Sequence, residues 1–521
     1  MQSALLPPEF RSKFARFFSD TPQASRHDIE RVLREEFPHF KDPVNEIFVP
    51  GTFTARAMGS ASVAQVHKAQ LRDGNGTWVA VKIQKPGIRR QVGWDLGVFR
   101  LVMMVFGERM FGLPLGFVVP YICERLESET DFSIELGNAV SMRRLVEKNL
   151  NQGRFPRSWG FGWWEDEGRV YVPRVYEDLC TKRVLVAEWI DGVTLSQGRR
   201  GAFKAQQIDP KVVMSSLLNL FARQMFWWGE VHCDPHPGNI LIRRIPASRN
   251  SFDSPPPAGE QENRDEEGGK MATEVVLLDH GLYIHLPPHL KSQYARLWTA
   301  LMSLDNSTVS EITQEWGFGN AEMVASMTML HPYQGSIGVD IDVLGPGVSG
   351  ASTDSTRGEA GEREVKKELT PYARQLLLKS TLRASLLHEE LIPRQLVFLG
   401  RCMRILQANN QLLGSPVNRL NILALAASKS LLPQNPNYLL GDRGGKAGAV
   451  QRGGRAWLKS YLHYVVFRLT LTLLDLGFWW VRLRRWVTGG PGGFEEEIEE
   501  RMRRVAREEW GLEIGGGVFR G

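Results

Sequence analysis

Residues Val231 to Leu241 read VHCDPHPGNIL. Pro235, Pro237 and Gly238 make this a loop that interrupts a segment reading as helix from about Val212. Within it a carboxylate, Asp234, is followed five residues later by an amide, Asn239. In an ordinary loop such side chains would satisfy nearby backbone groups. The length and composition of the stretch point instead to chemistry: a carboxylate that faces an acceptor hydroxyl, and an amide that binds Mg2+.

Two further segments stand in a fixed order around this loop. Downstream, VVLLDHGLY (Val275 to Tyr283) is an apolar strand that delivers Asp279 into a glycine-containing turn. That placement suits a carboxylate bridging Mg2+ to the β- and γ-phosphates of a nucleotide. A D-x-G turn is common by itself. Here it follows the Asn239 loop across residues 246–270, a Pro-, Glu- and Gly-rich insert that can bury little. Removing the insert leaves the short connection of a kinase catalytic region. Upstream, TWVAVKIQ (Thr77 to Gln84) is a β-branched strand preceded by the hairpin turn RDGNG. It carries Lys82. A strand lysine often just reaches solvent; in kinase folds it meets the α- and β-phosphates of ATP, held there by a helix glutamate. His232 takes the place of the usual catalytic-loop histidine, and His236 and Pro237 replace the more common lysine region. Lysine, then Asp-x4-Asn, then Asp-x-Gly is the order a kinase fold requires. The expected fold is therefore α+β: a two-lobed protein-kinase-like fold with helical N-terminal and C-terminal extensions.

Composition fits that size. The chain has 521 residues, 42% hydrophobic and 23% charged, enough for a two-lobed domain plus extensions. A net charge of +6 with no long Lys/Arg block argues against nucleic acid as a partner and leaves a mild preference for anionic surfaces. Cys123, Cys180, Cys233 and Cys402 form no C-x-x-C pair, which argues against a zinc site or disulfide framework and suits reduced thiols inside a cell. The first residues hold no apolar run long enough for a signal peptide. Arg11, Lys13 and Arg16 alternate with Phe10, Phe14 and Phe17 as in a transit peptide, but Glu9 and Pro7-Pro8 oppose that, and Pro8 reads as a helix start.

The chain divides into a helical N-terminal extension (1–45), an N-lobe with a helical insertion (46–195), a C-lobe with flexible inserts at 246–270 and 345–364 (196–435), a linker (441–455) and a helical tail (456–521). GRVYVPRVY and TKRVLVAEWI read as N-lobe strands, with DGV closing the second. In the tail, residues 457–486 are rich in Trp, Tyr, Phe and Leu, and Arg468, Asp475 and Arg482 recur every seven residues as a narrow polar stripe. A single membrane span would set two of those charges in hydrocarbon, at about 2.5–3.5 kcal/mol each near the centre. Packing on the kinase-like domain is the preferred expectation, with an interfacial membrane helix or a span as alternatives. FEEEIEERMRRVAREEW, with its Glu-to-Arg spacings of four, reads as a solvated helix face.

The sequence resembles the UbiB, or aarF-domain, atypical kinase-like family from about Leu6 to about Leu425. The stretches that carry the resemblance are SASVAQVHKA (60–69), VAVKIQKPGI (79–88), ESETDFSIELGNA (127–139), VHCDPHPGNIL and LLDHGL. HCDPHPGN and AQVH are highly specific to the family. The variants GSASVAQVHKA and DHGLY are most similar to its fungal and animal mitochondrial branch, linked to lipid homeostasis. The resemblance implies that Glu135 is the ion-pair partner of Lys82 and that Glu129 and Asp131 form the family's acidic motif. It implies that Gly59, Ser60, Ala61 and Ser62 replace the usual Gly-rich phosphate loop, and that Glu188 and Trp189 belong to the adenine-contacting hinge. Asp234, Lys82 and Glu135 become the catalytic set, and Asn239 and Asp279 the metal ligands.

Two departures stand out. The family's loop begins with Ala where this chain has Gly59, which would let backbone approach phosphates more closely. Family members also carry a K-x-G-Q motif ahead of the segment that resembles SALLPPEF, and targeting and membrane residues further upstream; this sequence starts at Met1, after that point, and a start at an internal methionine is the expectation. The expected function is that of an atypical kinase or ATPase using Mg-ATP in mitochondrial, inner-membrane-associated lipid or quinone (coenzyme Q) homeostasis. Its expected partners are ATP, a lipid or quinone-related small molecule, and a membrane surface touched through 457–486. Phosphorylation of ordinary proteins is disfavoured because no A-P-E segment follows DHGLYIHLPPHL. The alternatives are a nucleotide-binding pseudokinase scaffold and a membrane-surface lipid handler switched by ATP.

Overall fold

The computed structural model describes residues 23–105, 116, 118–149, 168–198, 201–247, 252, 271–318, 320–330, 389–431, 454–488 and 493–510. The expectations for residues 1–22, most of the 246–270 insert, the 345–364 insert and most of the 441–455 linker lie outside the described residues. The first half runs α1 (Arg26–Glu36), α2 (Pro43–Ile47), β1 (Gly59–Ser60), β2 (Ala64–Gln70), β3 (Trp78–Gln84), α3 (Ile88–Val102), α4 (Val119–Ser128), α5 (Phe132–Asn149), β4 (Arg169–Tyr171), β5 (Val184–Glu188) and β6 (Val193–Thr194). Next come α6 (Pro210–Arg223), β7 (Glu230–His232), β8 (Ile240–Pro246), β9 (Met271–Leu277), β10 (Tyr283–His285) and the helices α7 (Pro288–Met302), α8 (Asn306–Glu315), α9 (Ala321–Met329), α10 (Gln395–Leu412) and α11 (Arg419–Ser430). The tail is α12 (Gly454–Thr488) and α13 (Phe494–Trp510).

An antiparallel sheet in the order β1-β2-β3-β5 forms the smaller lobe. Alternation along β3 sends Val79, Val81 and Ile83 to a fully buried face and Lys82 to the other. The buried face is closed by Ile29, Val32 and Leu33 of α1, a helix capped by the Ser25 side chain on the Asp28 N–H. The segment expected as an N-terminal extension is thus the back layer of this lobe. Without it the β3 face would be open to water.

A second sheet, β4-β9-β8-β6, lies across the lobe boundary. Its β4 strand, expected in the N-lobe, instead runs parallel to β9 with Val170 opposite Val275. In this position Val170, Tyr171 and Val172 are all buried. The β8–β9 hairpin pairs Ile240 with Leu277, so the long insert is the hairpin's connection, as its removal in the sequence suggested. The helices α6, α7, α10 and α11 pack into the main core around Leu217, Trp298, Leu406 and Leu423.

The tail belongs to that core. Phe467, Leu471, Phe478 and Val481 of α12 and Phe494 and Ile498 of α13 are buried in it. Asp475, from the polar stripe, accepts from the amides of Asn418 and Asn421. Two of the acidic residues of α13 are not on a solvated face, whereas Glu500 is exposed. Glu495 is buried and holds the buried Arg419 at 3.2 Å and Asn410 at 3.1 Å, while buried Glu499 accepts from Gln411. No helix among the described residues is long and apolar enough to cross a membrane.

Candidate functional site

Lys82 projects from the cleft side of β3. Its Nζ donates to both carboxylate oxygens of Glu135 at 2.8 Å. Glu135 reaches it from the first turn of α5 and is itself buried. Asp131 starts that helix: its carboxylate accepts from the Ser133 N–H and hydroxyl, as an N-cap does. Asp131, one member of the expected acidic motif, thus caps α5.

Asp279 lies on the opposite side of Lys82, with Oδ2 at 3.6 Å from Nζ. The Gly281 N–H donates to its other oxygen at 2.9 Å, which fixes the turn. Burial works against its charge, yet Lys82 and that N–H hold its carboxyl at about 2, so it is ionised. Burial likewise opposes the Lys82 ammonium, but Asp279 and Glu135 raise its pKa above the ordinary lysine value. The β8–β9 hairpin sets Asn239 beside Asp279, with Nδ2 donating to Oδ2 at 3.4 Å. Asn138, one turn along α5 from Glu135, donates to the His280 carbonyl at 2.9 Å and ties the helix to the turn. Beneath the turn, His232, His280 and Tyr283 pack ring against ring. Burial, then the neighbouring His232, push His280 down to about 3, so its ring is neutral.

Asp234 occupies the mouth of the site. Arg401 of α10 pairs with it at 2.9 Å, and Asn409 of the same helix donates to the Pro235 carbonyl at 2.8 Å. Glu129 enters from the end of α4: a Cβ placed on Gly281 would lie 3.9 Å from its Cγ. Burial, then the charge of Asp279, lift the Glu129 carboxyl to about 7.

The Gly59–Ser62 segment is a tight hairpin. Gly59 pairs with Val66, the Ala61 N–H donates to the Ala64 carbonyl at 2.9 Å, and Lys85 Nζ donates to the Ala61 carbonyl at 2.7 Å. A Cβ on Gly59 would meet nothing within 4 Å, so the fold does not demand glycine there. At the hinge, the side chains are engaged elsewhere. Glu188 accepts from the Tyr171 hydroxyl at 2.6 Å, and the Trp189 ring lies 4.7 Å from the Lys68 ammonium, which also stands over Trp78.

The structure thus gathers Lys82, Glu135, Asn239, Asp279, Asp234 and Glu129 into one cleft. Residues 16–313 match the family model of the ABC1 atypical kinase-like domain. The chain belongs to the ABC1 atypical kinase-like family. It is 33% identical to the ABC1 family protein lscO of Purpureocillium lilacinum over 98% of this chain and 76% of that protein. It is 32% identical to the ABC1 family protein C10F6.14c of Schizosaccharomyces pombe (strain 972 / ATCC 24843), over 82% and 68%. AarF domain-containing protein kinase 1 of Gallus gallus is 30% identical over 61% of this chain and 51% of its own length. Among solved structures, the complex of Rv3197 with erythromycin from Mycobacterium tuberculosis is similar at a TM-score of 0.39 and 22% identity, covering 66% of this chain and 70% of that one.

Arg401 and Asn409 lie beyond the matched ABC1 domain, and the sequence reading missed both. Arg401 stands 167 residues from Asp234 in an unremarkable amphipathic helix, so no local pattern marks it. Asn138 was within reach: it lies one helical turn beyond Glu135, on the same face.

Proposed function

We propose that this chain binds Mg-ATP between β3 and the Asp279 turn and uses Asp234 to activate an acceptor for phosphoryl transfer. The observation that carries this reading is the Lys82–Glu135 pair at 2.8 Å with the ionised Asp279 at 3.6 Å. Asp279 and the Asn239 side-chain carbonyl are hard oxygen donors that suit Mg2+. Among the described residues no cluster of three or more His, Cys, Asp or Glu side chains could hold a metal alone. Magnesium at a nucleotide site needs no such cage, because the phosphates and waters complete its shell. When bound it would neutralise charge on the phosphate oxygens. Lys82 would hold the phosphates, Glu135 would fix Lys82, and Asp234 would take the acceptor proton once Arg401 releases it.

ATP turnover by the full chain tests this. Asp234→Asn is expected to lower turnover by about 100-fold or more, the range of general-base catalysis, while Mg-ATP still stabilises the protein. Unchanged turnover in that variant would reject the role of Asp234. A scaffold that binds nucleotide without transfer is the second reading, favoured by the Arg401 guanidinium on Asp234; stabilisation by Mg-ATP with no turnover would select it.

The wider role proposed is mitochondrial lipid or quinone homeostasis, supported by the similarity of GSASVAQVHKA and DHGLY to the branch with that role. Contact with a membrane surface is part of the proposal. The outward face of α12 exposes Leu469, Leu476, Trp480, Leu483 and Val487. Since the inward face of α12 is core, truncation would unfold the protein; paired Leu476→Glu and Leu483→Glu substitutions are the appropriate test. Undiminished co-sedimentation of that variant with anionic liposomes would remove the membrane contact from the account.

A further inference from the structure

The catalytic-loop carboxylate Asp234 is paired with Arg401, and the carboxyls of Glu129 and Asp279 lie nearby. Arg401 and Arg404 lie one turn apart on α10, the helix whose Arg401 and Asn409 contact the loop. The Arg401–Asp234 pair is open to solvent, with the two side chains 42% and 31% exposed. An exposed pair contributes little stability and is readily exchanged. Arg404 is half-buried, its cation is disfavoured first by burial and then by Arg401, and it has no ion-pair partner among the described residues. Arg125 of α4 is also near: its charge, like that of Arg401, bears on the Cys233 thiol next to Asp234. Its Nε is buried without a hydrogen-bond partner. Tyr121 of α4 packs edge-on against Phe398, one turn before Arg401, so the two helices touch each other beside Arg401. Neighbouring guanidiniums that lack a full set of counter-charges are the usual receptor for a phosphate, which takes their planar donors in parallel pairs.

We propose that Arg401 and Arg404 form the anion subsite of the acceptor, and that the acceptor is an alcohol bearing a phosphate ester close to its hydroxyl, either free or as a lipid headgroup. This rests on the Mg-ATP reading above. The phosphate ester draws Arg401 from Asp234 and leaves the carboxylate free. The acceptor hydroxyl then gives its proton to Asp234 as its oxygen bonds the γ-phosphorus, the bond from that phosphorus to the β-phosphate oxygen breaks, and ADP leaves.

The test compares phosphoryl transfer by the full chain from Mg-ATP to glycerol 3-phosphate, to phosphatidylglycerol in phosphatidylcholine vesicles, and to glycerol as the neutral alcohol. Transfer to a phosphate-bearing alcohol and not to glycerol is expected. Arg404→Gln should raise the acceptor KM by about tenfold or more, the effect of losing a charge-assisted hydrogen bond, with kcat little changed; Arg404→Lys should recover part of it. Use of the soluble ester alone identifies a small-molecule acceptor, and use of the vesicle alone a lipid headgroup. Equal use of glycerol and glycerol 3-phosphate, or an unchanged KM in Arg404→Gln, overturns the subsite. Absence of transfer to both phosphate-bearing alcohols also overturns it; if Mg-ATP still raises the melting temperature, the nucleotide reading stands, and if it does not, both fall.

Discussion

Replacing Glu129 with Gln should make the protein more stable at alkaline pH and leave it unchanged in acid. Glu129 is driven up from 4.5 to about 7, first by burial and then by the charge of Asp279, with Asp234 adding to it and Arg401 and Lys82 opposing. In the unfolded chain its carboxyl titrates near the ordinary value. Between 4.5 and about 7 the folded protein therefore keeps a proton that the unfolded chain has lost, and stability falls as pH rises through that window. Above it the ionised carboxylate costs a constant amount. The rise from 4.5 to about 7, at roughly 1.4 kcal/mol per pH unit, gives an upper value of about 3.5 kcal/mol. Partial solvent access screens part of this, leaving about 1–2 kcal/mol. A glutamine keeps the shape and never ionises. Urea denaturation of the metal-free protein in EDTA, run from pH 4.5 to pH 8, reads the difference directly. The two proteins should match at the acid end, separate through the window and hold a constant gap above it. A gap independent of pH, or a glutamine variant less stable at pH 8, would refute the environment assigned to Glu129.

Three other outcomes follow from particular contacts. Glu495→Ala strands the fully buried Arg419 and should destabilise the fold by about 3 kcal/mol or more in denaturant titrations, the cost of breaking a buried pair; a loss under 1 kcal/mol would mean that α13 is not part of the core. Asp131→Ala removes the α5 cap and should cost about 1 kcal/mol with no change in nucleotide affinity measured by calorimetry, whereas a large affinity loss would return Asp131 to the cleft. Gly59→Ala meets open space, so its melting temperature should equal that of wild type, and any change in ATP-to-ADP preference then reports on the phosphate loop alone.

The site was legible because each of its parts is local. Lys82 within an apolar strand, Asp234 and Asn239 in a Pro/Gly loop, and Asp279 in a turn each carry a chemical constraint in a few residues, and their order restricts the fold. The family resemblance added Glu135, which no local spacing connects to Lys82. What stayed hidden depends on packing between distant segments. The alternation of Glu495 and Glu499 on α13 is that of a solvated helix; nothing in it announces that Arg419 and Asn410 wait on the facing helices. The residues of α1 look like a polar extension until β3 presents its buried face to Ile29 and Leu33. The parallel pairing of β4 with β9 joins segments about a hundred residues apart, where periodicity has no reach. Arg401 shares that difficulty, since its meaning comes only from where α10 crosses the catalytic loop.

The central claim is that Lys82 and Asp279 form a Mg-ATP site, and ligand-induced thermal stabilisation tests it most directly. Mg-ATP at about a hundred times its Kd should stabilise the wild-type chain by about 2.7 kcal/mol. Lys82→Ala and Asp279→Asn, each compared with its own unliganded form, should lose most of that gain. An undiminished Mg-ATP response in both variants would contradict the site.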